Sequence, residues 1–191
     1  NYLIQKLLDQ ITTKQRITLI KNLSSNFISI ALDSHGTRAL QKLIDVISTQ
    51  EENLIIIDAF ANDIVSLSRD LNGNHVVQKI LTKFNYRPEN IQFIFDAACE
   101  HCIKISTHRH GCCVIQRCLD YGSLDQCKQL SLVIARNCLN LAVDPFGNYV
   151  VQYVLPKGEE ESIGIIVESV LQKVLFLSTH KFGSNVIEKV L

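Results

Sequence analysis

A five-residue phrase recurs six times along the 191-residue chain: a polar residue, a ring or second polar residue, two aliphatics, then Gln or Glu. The copies are Asn1-Tyr2-Leu3-Ile4-Gln5, Thr37-Arg38-Ala39-Leu40-Gln41, Asn74-His75-Val76-Val77-Gln78, Cys112-Cys113-Val114-Ile115-Gln116, Asn148-Tyr149-Val150-Val151-Gln152 and Ser184-Asn185-Val186-Ile187-Glu188. They begin at 1, 37, 74, 112, 148 and 184, at spacings of 36, 37, 38, 36 and 36. A fixed period of this size is the mark of a repeat solenoid, in which each unit buries its apolar face against its neighbours. The aliphatic pair stays apolar in every copy, while the first, second and fifth positions change among amide, hydroxyl, thiol, acid and ring. A core keeps its chemistry; a reading surface varies it.

Five of the eight glycines stand directly before a copy of the phrase: Gly36, Gly73, Gly111, Gly147 and Gly183. Three residues earlier lie Asp33, Asp70 and Asp144, with His108 and His180 in the other two copies. Asp at the first and Gly at the fourth position is the preference of a type I turn. The turn delivers the chain into a helix, as over 148–155. There Val150 and Val151 are followed by Val154 and Leu155, Val76 and Val77 by Ile80 and Leu81, and Val186 and Ile187 by Val190 and Leu191. Apolar pairs repeating every four residues make the stripe of an amphipathic helix, despite their β-branched content. A second apolar helix is expected in each unit, as over 162–175 or 90–99, followed by a short run such as Leu139-Asn140-Leu141-Ala142. On the first helix the first and fifth positions lie four apart and so share one face, with the second at its edge. Each repeat offers two neighbouring polar tips beside a flat or polar group.

Composition excludes little. Hydrophobic residues make up 47% of the chain, and 19 basic residues balance 19 acidic ones. A zero net charge speaks to solubility and steering rather than to sites, so only the distribution of charge is informative. No apolar run approaches the length of a membrane span, and no secretory signal is visible. Seven cysteines without framework spacing are expected to be thiols in a reducing compartment. A soluble, cytoplasmic protein is the expectation.

In its six phrases, in register along essentially the whole chain, the sequence resembles the Pumilio (PUF) family of RNA-binding repeat proteins, in which one base is read per helical repeat. The resemblance implies an all-α, right-handed α-solenoid of about six stacked Pumilio-type repeats. It implies a single domain over 1–191, a curved fragment truncated at both ends and similar to the family's second through seventh repeats. In the family the first and fifth positions bond the Watson–Crick edge and the second stacks. Asn with Gln goes with uracil, Ser with Glu with guanine, and a small residue with Gln with adenine. Carried over, the base-edge residues are Asn1 and Gln5, Thr37 and Gln41, Asn74 and Gln78, Cys112 and Gln116, Asn148 and Gln152, and Ser184 and Glu188. The stacking residues are Tyr2, Arg38, His75, Cys113, Tyr149 and Asn185, of which Cys113 and Asn185 are poor surfaces. The family binds RNA antiparallel to the repeats, so the implied element is 5′-GUAUAU-3′ within a UGUA-type site of an mRNA 3′ untranslated region. The implied role is post-transcriptional and translation regulation.

The residue after each phrase is Lys6, Lys42, Lys79, Arg117, Tyr153 or Lys189, basic in five of six. These basic side chains are expected to contact phosphates, the salt-dependent part of affinity. The competing reading is a protein-interaction scaffold of HEAT or armadillo type, in which Asn and Gln merely satisfy neighbouring helices. The coordination of three positions with a base code favours RNA. Cys99, His101, Cys102, His108, His110, Cys112 and Cys113 raise the question of zinc. Cys99 and Cys102 fall on the periodic second helix, however, and Cys112 on a reading position. No paired acid–base constellation suggests an enzyme. The expected partners are single-stranded RNA and effector proteins on the convex face, with no DNA, membrane, cofactor or metal.

Overall fold

The computed structural model describes residues 2–191, so Asn1 lies outside the described residues. Among those residues the chain is helical throughout, with no strand, and no helix is long and apolar enough to cross a membrane. Two compact units are present, Asn1–Ile94 and Phe95–Leu191.

The first unit holds α1 (Tyr2–Leu8), α2 (Thr13–Leu23), α3 (Phe27–Leu32), α4 (Gly36–Val46), α5 (Gln50–Phe60), α6 (Ile64–Arg69) and α7 (Gly73–Phe84). Helix α8 (Gln92–Glu100) runs through the division. The second unit continues with α9 (Cys102–Ser106), α10 (Gly111–Tyr121), α11 (Leu124–Arg136), α12 (Cys138–Ala142), α13 (Gly147–Val154), α14 (Glu160–Gln172), α15 (Val174–Thr179) and α16 (Gly183–Val190). The first five repeats therefore have three α-helices each, the sixth is represented by α16 alone, and the phrase lies at the start of the first helix. Like packs on like: α1 on α4, α4 on α7 and α2 on α5 in the first unit, α10 on α13, α13 on α16 and α11 on α14 in the second.

The aliphatic stripe is the core of each unit. Val76, Val77, Ile80, Leu81 and Phe84 of α7 are fully buried, as are Val150, Val151 and Val154 of α13. Each such side chain contributes about 1.5–3 kcal/mol by leaving water. Phe27 and Phe60 stack with ring centroids 5.8 Å apart, joining α3 to α5. Leu3 and Ile4 of α1 depart from the pattern and are exposed.

Three of the second helices, α2, α5 and α11, are started by capping boxes, in which a hydroxyl and an N3 side chain exchange bonds with each other's backbone. The pairs are Thr12 with Gln15, Thr49 with Glu52, and Ser123 with Gln126. The helix expected over 162–175 instead ends at Gln172. Lys173 leaves helical geometry at φ −119° and ψ 21°, its amide bonds Val170 O at 3.1 Å, and α15 starts afresh. That tightened turn re-aims the chain. The helix expected over 90–99 likewise begins two residues later, after a 3₁₀ turn over Pro88–Asn90. The loop before it is tied down, because Asn53 Nδ2 donates to Tyr86 Oη at 2.7 Å and Gln50 Nε2 to Asn90 Oδ1 at 2.8 Å.

The turn into each phrase helix is more specific than a type I turn. Asp33 Oδ1 accepts from the amides of His35 and Gly36 at 2.9 and 2.6 Å. Asp70 and Asp144 repeat the arrangement at 2.7–2.8 Å. His180 substitutes an imidazole nitrogen, Nδ1 accepting from Phe182 and Gly183 at 3.2 Å. The main chain then closes onto the residue that opens the phrase, as in Thr37 N to Asp33 O at 2.9 Å. Glycine is required here by a close approach. A Cβ on Gly111 would sit 2.2 Å from Ile105 O, and one on Gly36 2.5 Å from Ile30 O. The short third helix thus presses its carbonyl against the start of the next phrase helix.

Candidate nucleic-acid interface

Among the described phrases the first position is buried at Thr37, Asn74, Cys112 and Asn148 and half-buried at Ser184, and its side chain bonds a backbone carbonyl of the turn beneath it or, for Thr37, of the next repeat's turn. Asn74 Nδ2 donates to Asp70 O and Leu71 O, both at 2.8 Å, which occupies its two N–H groups. Only Oδ1 remains, and it accepts from Gln78 Nε2 at 2.9 Å. In α13 the same construction recurs: Asn148 Nδ2 donates to Asp144 O at 2.8 Å and Pro145 O at 3.0 Å, and Oδ1 accepts from Gln152 Nε2 at 3.0 Å. Thr37 performs the task with a hydroxyl, giving its hydrogen to Asn72 O at 3.1 Å and accepting from Gln41 Nε2 at 3.2 Å. Cys112 is buried with its thiol toward Arg109 O at 3.5 Å. Burial pushes that thiol up to about 12, so it keeps its proton at neutral pH. Ser184 Oγ donates to Lys181 O at 3.4 Å, and Glu188 is exposed. Of the first phrase, Asn1 lies outside the described residues, and Gln5 is half-buried.

Between the reading helices lie open concavities. One is lined by Thr37, Arg38, Gln41, Asn72 and His75, and so sits between two of the expected stacking side chains and over a reading pair. Another is lined by Tyr149, Gln152, Asn185, Glu188 and Lys189. Tyr2, Arg38, His75, Cys113 and Tyr149 are all exposed, Tyr149 by 54%. Asn185 is half-buried and directs Nδ2 toward Asn148 Oδ1 at 3.5 Å. The structure thus brings first, second and fifth positions of a phrase to one face.

Six segments of the chain, residues 1–24, 26–59, 63–97, 101–135, 137–171 and 173–191, match the Pumilio-family RNA binding repeat. The chain belongs to the Pumilio family. A Pumilio domain-containing protein of Schizosaccharomyces pombe is 48% identical over 189 residues, covering 99% of this chain and 28% of that protein. Pumilio homolog 12 of Arabidopsis thaliana is 42% identical over 194 residues, covering 100% of the chain and 32% of its own length. The chain thus spans about a third of these curated relatives. Among solved structures, the Puf4 RNA binding domain bound to the HO endonuclease RNA 3′ UTR recognition sequence superposes with a TM-score of 0.92 at 53% identity, over 98% of this chain and 59% of that one. The yeast Puf5p RNA-binding domain bound to SMX2 RNA gives 0.90 at 38% identity, over 99% and 54%. Pumilio repeats form a non-enzymatic family.

The residue after the Pumilio phrase has, at Lys42, Lys79 and Tyr153, a role that the charge pattern did not reveal. Lys42 Nζ lies 2.6 Å from Asp9 Oδ1, and Lys79 Nζ lies 3.0 Å from Asp45 Oδ1. Each cation is held by a carboxylate of the preceding repeat. Tyr153, the one non-basic residue of the row, does the same with its hydroxyl, donating to Asp120 Oδ1 at 2.7 Å. Arg117 reaches Asp120 Oδ2 at 3.5 Å, and Lys157 completes the cluster. Burial raises the Asp120 carboxyl, but Lys157 and Tyr153 outweigh it and hold it below the ordinary range. A signal was available: Asp9, Asp45 and Asp120 each stand eight residues after the start of a phrase. Lys6 lies over the Tyr2 ring at 4.7 Å.

The cysteines and histidines do not form a metal set. Among the described residues no three His, Cys, Asp or Glu side chains converge, and all seven cysteines are free thiols. Cys102 is buried against Ser106 Oγ at 3.7 Å, while burial raises Cys99 to about 11. His108 Nδ1 accepts from the His110 amide at 3.3 Å, within its turn.

Proposed function

We propose that this chain binds single-stranded RNA sequence-specifically, one base per repeat, with 5′-GUAUAU-3′ as its element. The observation that carries the proposal is the aimed amide pair: in α7 and α13 a buried Asn fixes a Gln whose outer edge faces a concavity or solvent. Uracil offers acceptor, donor and acceptor along its edge, which such an amide complements. Asn148/Gln152, Asn74/Gln78 and Asn1/Gln5 are the proposed uracil readers. Guanine presents N1–H and N2–H together, so Glu188, an acceptor only, suits it, with Ser184 leaving room for a purine. Thr37/Gln41 and Cys112/Gln116 read adenine. Tyr2, Arg38, His75 and Tyr149 supply faces for stacking, Cys113 and Asn185 poorer ones.

Phosphate contacts are assigned to Lys6, Lys42, Lys79, Arg117 and Lys189, with Lys42 and Lys79 sharing their charge with Asp9 and Asp45. The Puf4 and Puf5p domains, each similar to this chain over nearly all of its length, were solved on RNA. That likeness supports mRNA 3′ untranslated regions as the target, and regulation of translation and message fate in the cytoplasm as the role, with effector proteins as further partners. A UGUA-type site needs one uracil-reading repeat more than these six.

Fluorescence anisotropy tests the proposal. Labelled 5′-GUAUAU-3′ is expected to bind at least about a hundredfold more tightly than a scrambled oligomer of equal composition, since separate mismatches each cost about 1–3 kcal/mol. Equal affinity for the two contradicts base reading and favours a protein-binding scaffold.

A further inference from the structure

We infer that Asn72, a turn residue outside the five-residue phrase, is a positioning residue for the fifth base: it ties the turn of one repeat to the reading pair of the repeat before it. The inference rests on the one-base-per-repeat proposal and adds to it a residue that the phrase does not contain.

Helix α3 ends at Leu32 because Asp33 swings to extended geometry, at φ −78° and ψ 136°. The carbonyl of a last helical residue lacks an amide four positions on, and here that amide, Gly36 N, is taken by Asp33 Oδ1 at 2.6 Å. Asn72 supplies the missing donor from the next repeat, Nδ2 giving to Leu32 O at 2.9 Å. Its own main-chain carbonyl then accepts twice, from Thr37 Oγ1 at 3.1 Å and from the His75 amide at 3.2 Å. One residue therefore joins the end of α3, the residue that opens the α4 phrase and the second residue of the α7 phrase.

Asn72 lines the same concavity as Thr37, Arg38, Gln41 and His75. Thr37 and Gln41 are the proposed edge readers of the fifth base, and Arg38 and His75 the stacking groups proposed for it. Edge and stack thus come from two repeats, so the base fits only where α4 and α7 keep their offset. The Lys79–Asp45 pair holds the two helices further along α7; the bond from Asn72 to Leu32 O holds them at the concavity itself. Phe146 and Phe182 take the same place in the turns before α13 and α16 and have no side-chain donor. The brace is a property of this turn and not of the repeat.

Asn72→Leu keeps the volume and removes the donor, with Asn72→Ala as the second variant should the first fail to melt cooperatively. The measurement is anisotropy with 5′-GUAUAU-3′ and its single-base variants, beside circular dichroism. Discrimination at the fifth base is expected to fall about fivefold, the scale of coupling between groups in one network, while the first and second bases, assigned to α16 and α13, change by less than about twofold. Thr37→Val, which lacks the hydroxyl, is expected to lower fifth-base discrimination as well. Adding Asn72→Leu to it is expected to cost at most about twofold more, because the link is already cut. An equal loss for matched and mismatched RNA, an unmoved fifth-base profile, or full additivity of the two substitutions overturns the inference and leaves Asn72 a structural brace only. Indifference to base identity at every position overturns base reading itself and this inference with it, and is told apart from the other failures because it appears in wild type.

Discussion

Gln78 Nε2 donates to Asn74 Oδ1 at 2.9 Å, one turn apart on α7, so a partly exposed amide, the proposed base reader, is aimed by a buried residue beneath it. Asn74 is therefore structural and, on the proposed reading, functional at once. Asn74→Ala leaves the carbonyls of Asp70 and Leu71 without their donor and lets Gln78 rotate. The expected cost is about 1–3 kcal/mol of stability, by the penalty for unmade bonds at a partly buried site, together with loss of preference at the fourth base. Urea unfolding and base-substituted oligomers measure the two effects separately. Unchanged stability contradicts the hydrogen-bond assignment.

The Lys79–Asp45 pair separates a phosphate contact from a brace between repeats. Lys79→Ala is expected to weaken matched and mismatched RNA alike and to flatten the salt dependence by up to about one unit of slope. Asp45→Asn has the opposite sign, because it frees the Lys79 charge for a phosphate while loosening α4 against α7. Its expected signature is tighter, steeper salt-dependent RNA binding with slightly lower thermal stability. Identical RNA affinity in both variants at every salt concentration contradicts a phosphate role at this position.

Acid sensitivity is expected from Glu52. Its side chain is fully buried, and Arg16 Nη2 and the amides of Ser48 and Thr49 point at its carboxylate. Burial pushes the carboxyl up, but the bonds from Arg16, Ser48 and Thr49 outweigh it and hold it below 4.5. A depressed folded-state pKa means that this stabilisation is fully present above the unfolded value and is lost as pH falls through the folded one. Glu52→Gln removes the carboxylate that pairs with buried Arg16, at an expected cost of about 3–5 kcal/mol at neutral pH. The difference between wild type and Glu52→Gln is expected to shrink in denaturant titrations carried below pH 4.5. A gap that stays constant down to pH 2 contradicts the linkage, on the rule that a protonated group loses its ionic contribution.

Much of this was legible in the chain because a repeat reports itself six times. The phrase period, the burial of most of its aliphatics and a helix close to the expected 148–155, found as Gly147–Val154, follow from spacing alone, whereas Leu3 and Ile4 are exposed. The termination of α14 at Gln172 was not legible, since Val174 and Leu175 extend the apolar pattern and only the turn geometry at Lys173 breaks it. The sharing of labour within the phrase was also hidden. Spacing places Asn148 and Gln152 on one face but cannot tell that Asn148 is buried and spent on Asp144 O and Pro145 O, because burial depends on the preceding turn. Tyr153 looked like a gap in a basic row; Asp120, reached from the next repeat, explains it.

The most direct test rewrites one reading pair. Ser184 and Glu188 are the proposed guanine readers, so Asn148→Ser with Gln152→Glu is expected to make α13 prefer guanine, while Val150, Val151 and Val154 keep the core intact. The new carboxylate accepts from guanine N1–H and N2–H and meets only acceptors at uracil O4 and O2. Binding curves against 5′-GUAUAU-3′ and 5′-GGAUAU-3′ are expected to reverse their order, by about 1–3 kcal/mol of discrimination. A double variant that remains helical by circular dichroism yet still prefers uracil at the second base contradicts the assignment of these residues as base readers.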